Sequence, residues 1–163
     1  MSEPQTLALA ANGWVPNSPL PVLIHRGAVV LSGDDPAAAV EAHFAANGWP
    51  PQWRGGIFDY HHYHSTAHEA LGIAAGRALL ALGGPRSAQL EVAAGDLLVL
   101  PAGVGHCLSE ASADFHVVGA YPPGAKWDIC RTAPSPDILA RIAALPLPET
   151  DPADGGPMRA WQL

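Results

Sequence analysis

The segment Asp59 to Ala78, DYHHYHSTAHEALGIAAGRA, places His61, His62, His64 and His68 within eight residues and follows them with Glu69. Its reading turns on periodicity. Successive side chains along a strand point to opposite faces. In an extended chain His62 and His64 therefore share a face with Phe58 and Tyr60, while Asp59, His61 and Tyr63 take the other. Same-face neighbours stand roughly 7 Å apart at their Cα atoms, close enough for both imidazoles to converge on one ion. Ser65, Thr66 and Ala67 can turn the chain, and Glu69 then opens a second strand on whose inner face it joins Leu71 and Ile73. His61 reads as a surface histidine. His68 falls on the opposite face from Glu69, and two alternatives stay open for it: replacing one of the paired histidines, or orienting Glu69 from behind.

The same texture continues beyond this segment. From Gly55 to Gly124 the chain is a series of short apolar or alternating runs, most of them separated by Gly, Pro or Asp. Short strands at close spacing predict an all-β barrel or sandwich. One later run, GDLLVLPAGVGH (Gly95 to His106), predicts a turn, a strand closed by Pro101, a second turn at Gly103, and then His106 on the face of Leu108. Three imidazoles and a carboxylate form a borderline nitrogen and oxygen set. It suits Fe, Mn, Ni, Co or Zn as the divalent ion and leaves positions open for water or substrate.

Outside the strand block the signals are helical or irregular. Asp35 and Pro36 begin a short helix that Gly48 and Pro50 end. Val40 and Phe44 lie on its one apolar face, with Ala37 a turn earlier. Ser135 and Pro136 begin a C-terminal helix through Leu145. The first twenty residues read as irregular, and the Pro-rich stretch after Leu145 reads as extended over the surface. A chain of 163 residues fits one domain, expected here as 1–163 with a barrel core of about 20–122 and a helix and tail over 127–163.

Charge and cysteine content narrow the partners. The formal net charge is −7 and no Lys/Arg run is present, so neither nucleic acid nor an anionic membrane is an expected partner. No signal peptide pattern and no apolar run of membrane-spanning length are found. Cys107 and Cys130 form no CxxC pair and read as free thiols, which fits a cytoplasmic protein.

The spacing of the histidine segments resembles that of the cupin superfamily. Gly56, His62, His64, Glu69 and Gly76 follow its first motif, G-x5-H-x-H-x(3,4)-E-x6-G. Gly95, Pro101, Gly103 and His106 follow the second, G-x5-P-x-G-x2-H-x3-N, with Glu110 where that motif has Asn. HHYHSTAHE together with VVGAYPPG-x2-WD further resembles the small YjlB-type bacterial cupins. The resemblance implies an all-β, double-stranded β-helix (a jelly-roll barrel), flanked by the two helices. It implies His62, His64, Glu69 and His106 as metal ligands near one mouth of the barrel.

It leaves the reaction open, since fold does not fix function. The expectation is a small metal-dependent enzyme, dioxygenase-, isomerase- or decarboxylase-like, acting on a small organic molecule. The alternative is a non-catalytic binding or sensing module. Tyr60 and His116 are the catalytic candidates, chosen as inward-facing groups able to move a proton. Trp49, Trp53, Trp127 and Trp161 are expected as packing or interface residues, and exposed sheet edges favour a homodimer.

Overall fold

In the computed structural model, which describes residues 3–162, nine strands form two antiparallel sheets. The strands are β1 (Gln5–Leu9), β2 (Ser18–His25), β3 (Pro51–Gly55), β4 (Glu69–Ala75), β5 (Arg77–Leu82), β6 (Ala88–Ala93), β7 (Leu97–Leu100), β8 (His106–Ala111) and β9 (His116–Ala120). The larger sheet runs β1-β2-β7-β4-β9-β3 and the smaller β6-β5-β8. The helices are α1 (Pro36–Ala46) and α2 (Pro136–Ala144). This is the expected all-β jelly-roll architecture with one helix before the main strand block and one after it.

Two apolar layers hold it together. Between the sheets lie Val22, Ile24, Leu71, Ile73, Leu80, Leu82, Leu98 and Leu100. On the outer face of the larger sheet, Leu23, Ala70, Leu97, Val99 and Val118 pack against Val40 and Phe44 of α1 and against Trp49 and Trp161. The alternation within β7 is direct: Leu98 and Leu100 enter the inner layer, Leu97 and Val99 the outer one. A central strand buried on both faces reads as a continuous apolar run, which is why LLVL shows no polar alternation. Gly72 on β4 is where α1 comes closest. A Cβ there would lie 2.3 Å from Val40 Cγ1, so only glycine lets the helix seat.

Both helix ends are set by the residues that mark them in the sequence. Ser135 accepts the Ile138 amide on its Oγ at 3.2 Å, a side-chain N-cap. Asp35 does not cap α1 with its side chain. Its carboxylate faces Arg54 of β3 instead, at 3.0 Å.

Three expectations change. The chain start is not irregular throughout, because Gln5–Leu9 forms an edge strand on β2. Phe58–Ser65 is not a regular strand. It is held by bridges of His62 to His106 and Tyr63 to Cys130. The C-terminal stretch does not lie on the surface: Asp151, Ala153, Met158 and Trp161 are buried, and the Trp161 indole N–H donates to the Pro21 carbonyl at 2.8 Å. Its Pro content suggested exposure, yet its apolar side chains complete the outer layer that α1 covers only in part.

Candidate metal centre

Backbone pairing brings the segments of the histidine cluster together. The His62 amide donates to the His106 carbonyl at 3.2 Å and the His106 amide returns the bond at 2.9 Å. The Gly103 amide donates to the His64 carbonyl at 2.8 Å. The loop before β8 is thereby laced to the H-x-H segment, and local alternation holds. His62 and His64 turn inward. Tyr63 turns the other way, packs at a tilt against Trp14 with centroids 6.1 Å apart, and donates to the Thr132 carbonyl at 2.6 Å. On β4, Glu69 pairs with Leu100 and Ala70 with Ala120, so Tyr121, the first residue past β9, stands beside Glu69.

The ligand-type nitrogens of His62, His64 and His106 lie within 4.8 Å of one another, and all three residues are buried. Each ring has its Nδ1 against a backbone carbonyl: His62 on Tyr60 at 3.0 Å, His106 on Val104 at 3.0 Å, and His64 on Asp128. A carbonyl only accepts, so each Nδ1 carries its proton and in the neutral ring Nε2 is left with its lone pair. Glu69 meets two of the three. Its Oε2 is 3.2 Å from His64 Nε2 and its Oε1 is 3.3 Å from His106 Nε2. His64 Nε2 is fully buried and makes no hydrogen bond, so at 3.2 Å it sits beside the carboxylate oxygen without hydrogen-bond alignment.

The electrostatics follow from burial and proximity. Burial, aided by the neighbouring His106, pushes His62 down to about 3. Burial also opposes a charge on His64, but the Glu69 carboxylate beside it outweighs that cost and raises its pKa. Burial would likewise raise Glu69, yet the imidazoles of His64 and His106 hold its carboxyl well below the usual range. The result is three converging imidazoles with a buried anion beside two of them, a set of donors that fits a borderline divalent cation.

The surroundings fix this set. The Tyr121 hydroxyl donates to Glu69 Oε2 at 2.5 Å and accepts from the Trp53 indole N–H at 2.9 Å. Burial and the adjacent carboxylate raise the Tyr121 hydroxyl, so it keeps its proton. Trp53 reaches this position because Gly119 has no side chain: a Cβ there would come within 2.1 Å of the indole. Asp128, whose carbonyl receives His64, is itself anchored by the Ser65 amide at 2.7 Å and the Ser65 hydroxyl at 2.5 Å.

The remaining sequence candidates fall elsewhere. Tyr60 stacks on Phe58 at 4.8 Å, with the Arg131 guanidinium 3.7 Å from its ring centroid, and it does not line the cavity over the imidazoles. His116 opens β9 level with Ala75, at the far end of β4 from Glu69. At about 3.3 Å per residue that is roughly 20 Å away. His68 faces away from Glu69, as alternation requires. Its Nδ1 accepts the Ala102 amide at 2.9 Å and its ring packs on Trp161 at 5.0 Å. It neither joins the cluster nor touches the carboxylate. His61 is half-buried rather than on the surface. Cys107 and Cys130 are free, and Cys107 turns out of the cavity.

Sequence reading missed Tyr121, Trp53 and Trp127, which line the cavity. Tyr121 continues β9 on the face of Phe115 and Val117, the face opposite the one taken as inward for His116. Trp53 and Trp127 read as packing residues because they lie outside the motif strands. The one signal in the sequence was Gly119, a glycine inside a strand, which marks a close approach.

No family model matches the chain. It is 35% identical over 156 residues to the uncharacterized protein YjlB of Bacillus subtilis (strain 168), covering 94% of this chain and 92% of that one. Among solved structures it is similar to the 11S allergen from Cocos nucifera L., with a TM-score of 0.40 and 19% identity over 57% of this chain. It is also similar to Streptomyces albus HEPD with 2-hydroxyethylphosphonate and Fe(II) bound, with a TM-score of 0.30 and 13% identity over 77% of this chain. It spans 29% of the first of these structures and 21% of the second. Among the described residues no helix is long and apolar enough to cross a membrane. The extent of the match to YjlB, with a two-sheet barrel around clustered histidines, places the chain in the YjlB family of cupins.

Proposed function

We propose that His62, His64, Glu69 and His106 hold one divalent transition metal, and that the chain is a small metal-dependent enzyme acting on a small organic molecule. One observation carries this reading: three buried imidazoles, each fixed through Nδ1 on a carbonyl, gather their free nitrogens beside a buried carboxylate. Orienting partners of this kind are what metal-ligating histidines need. When bound, such an ion supplies Lewis-acid or redox chemistry to a donor atom of the substrate. The protein's own groups do the rest. Tyr121 keeps a proton on its hydroxyl at Glu69, and Trp53 fixes the direction of that hydroxyl. Trp127 and Ile129 give the cavity apolar walls and limit water there.

A second reading, a binding or sensing module in the same pocket, has one observation in its favour. Besides the four residues above and Tyr121, the only titratable side chain among the described residues lining the cavity is Arg54, which is held by Asp35 and Glu41. Tyr60 remains a proposal for proton transfer if the loop before His62 moves; His116 ranks below it because β9 places it at the far end of β4, and neither lines the cavity as folded. Assignment to a single cytoplasmic domain pairing as a homodimer belongs to the same proposal, supported by the outer edges of β1, β3 and β6, which pair with no further strand among the described residues.

The test is elemental analysis of protein purified without added metal and again after anaerobic exposure to Fe(II), Mn(II) or Ni(II). About one equivalent of a single metal is expected, falling to trace levels in His62→Ala/His106→Ala. Trace metal in the folded parent under every condition refutes the reading. Oxygen uptake by the Fe(II)-loaded protein across thiols, catechols, β-diketones and sugar acids then separates enzyme from binding module.

A further inference from the structure

Above the imidazoles the barrel opens into a cavity of about 320 Å³. That is the lower end of the range for small-ligand sites. Its upper walls are apolar: Trp53, Ile57, Leu71, Trp127 and Ile129 face it together with the ring of Tyr121. The Trp127 indole lies flat on that ring, with centroids 4.3 Å apart and planes 3° from parallel. Phe58, which also lines the cavity, stands edge-on to His62 at 5.4 Å. The walls are therefore aromatic and aliphatic, with the imidazoles and Glu69 on the floor and Arg54 the one further charged side chain among the described residues lining the cavity.

The mouth is apolar too, and it is open. Phe58 is 47% exposed, Ile129 45% and Trp127 38%, large side chains that a soluble domain normally covers. All three line the cavity, so the exposure is focused on one entrance.

Charge argues in the same direction. Arg54 is the one cation among the described residues that line the cavity. Its Nε and Nη2 donate to the two oxygens of Glu41 at 3.0 and 2.6 Å, and its Nη1 donates to both oxygens of Asp35 at 3.2 and 3.0 Å. Two carboxylates hold that guanidinium, so it is already paired and is not offered to an anionic ligand. A polyanionic ligand would meet an apolar wall and no free cation among the described residues lining the cavity.

We propose that this site takes a small, flat, apolar-bodied molecule whose oxygen donors are confined to one edge, and that Trp127, Ile129 and Phe58 select it. Catechol-like rings have this shape; sugar acids and polycarboxylates do not. The donors would face the floor and the ring would slide between Trp127 and Phe58. The proposal rests on the reading of His62, His64, Glu69 and His106 as the metal site, but its apolar half can be tested without metal.

The experiment uses the full chain, metal-free and Zn(II)-loaded, titrated with phenol, catechol and gluconate while tryptophan fluorescence and calorimetry are followed. The variant is Trp127→Ala/Ile129→Ala, both positions solvent-accessible, with thermal unfolding as the check on folding. Catechol should bind the Zn(II) form at least about tenfold more tightly than gluconate, and the double variant should weaken catechol about tenfold or more, gluconate by less than about twofold. Phenol should bind the metal-free protein weakly and lose that binding in the variant. Gluconate binding as tightly as catechol, or catechol and phenol binding unchanged in a folded variant, overturns the proposal. If Zn(II) does not bind but phenol binding still depends on Trp127, the metal reading fails and the apolar pocket stands. If Zn(II) binds and the preference is absent, the reverse holds.

Discussion

Tyr121→Phe removes one oxygen atom from the candidate site and keeps the ring that Trp127 stacks on. The lost hydroxyl makes a 2.5 Å hydrogen bond to Glu69 Oε2, inside the barrel. Hydrogen bonds to charged groups contribute roughly 1.5–3 kcal/mol, and short O–H···O⁻ bonds lie in the stronger half. The indole N–H of Trp53 also loses its acceptor, but Trp53 is half-buried and can turn to water at smaller cost. Metal-free protein should therefore unfold some 3–12 °C lower, at about 2–4 °C per kcal/mol for a domain of this size. The effect on metal should have the same origin. Without the hydroxyl, Glu69 keeps only its contacts to His64 and His106 and is free to rotate about its side-chain bonds. Loss of an orienting partner of this kind weakens metal affinity about 10–100-fold, or roughly 1.4–2.7 kcal/mol, matching the hydrogen bond removed. A bare carboxylate is also more basic, which works in the opposite direction. That gain is small here because the two imidazoles already keep Glu69 ionised. The assay is competition for Zn(II) against a chromophoric chelator, parent and variant side by side, with thermal unfolding of each metal-free protein. A dissociation constant within about twofold of the parent refutes the view that Tyr121 orients Glu69.

Two further perturbations probe the surroundings. His68→Ala strands the Ala102 amide, which His68 now satisfies at 2.9 Å, and opens a cavity against Trp161. The cost should be about 2–5 kcal/mol in urea unfolding with unchanged metal stoichiometry; metal loss from a folded variant would put His68 back among the ligands. Asp128 carries the pH dependence. Burial would raise its carboxyl, but the Ser65 hydroxyl and amide hold it at about 2, below its ordinary 3.8. A depressed carboxyl stabilises the fold above its unfolded value and loses that contribution as pH falls from about 4 through 2. Discounted for partial exposure, the contribution is about 1–2 kcal/mol. Asp128→Asn should be less stable than the parent at pH 6, and the difference should have narrowed by pH 2.5 and close only below about 2. A gap of equal size at both pH values would show that the carboxylate charge has no part in it.

What the sequence disclosed, and what it withheld, divides along a physical line. Alternation along an extended segment is a local rule. The order of residues alone therefore puts His62 and His64 on one face, His68 opposite Glu69, and Leu71 and Ile73 inward. Those placements hold even where the regular ladder fails, because bridges at His62 and Tyr63 keep His62–His64 extended, while the bend at Asp59 and Tyr60 takes Tyr60 out of the alternation. The helices were legible for a similar reason: Pro36, Gly48, Ser135 and Pro136 act on the backbone beside them. What stayed hidden depends on distant pairing. His116 was placed near the cavity on the premise that it faces inward with Val118 and Ala120, but those two pack in the outer layer while Val117 enters the inner one, and register against β4 also sets His116 level with Ala75. Alternation groups residues by face; it does not say which face is inward, nor how far along the barrel axis a residue lies.

The same distinction explains why the residues that shape the site were the ones overlooked. Trp127, Asp128 and Ile129 sit in a loop with no period to read. They reach the cavity because Asp128 is tied to Ser65 and Cys130 to Tyr63, contacts that span more than sixty residues. The floor of the site was thus written in motif spacing, while its walls were written in long-range pairing. A family motif records the parts held in fixed local geometry, here the histidines and Glu69. Selectivity lies in the parts that fold over them. The chemistry of the floor can therefore be common to many barrels, while the loop that carries Trp127 determines what reaches it in this one.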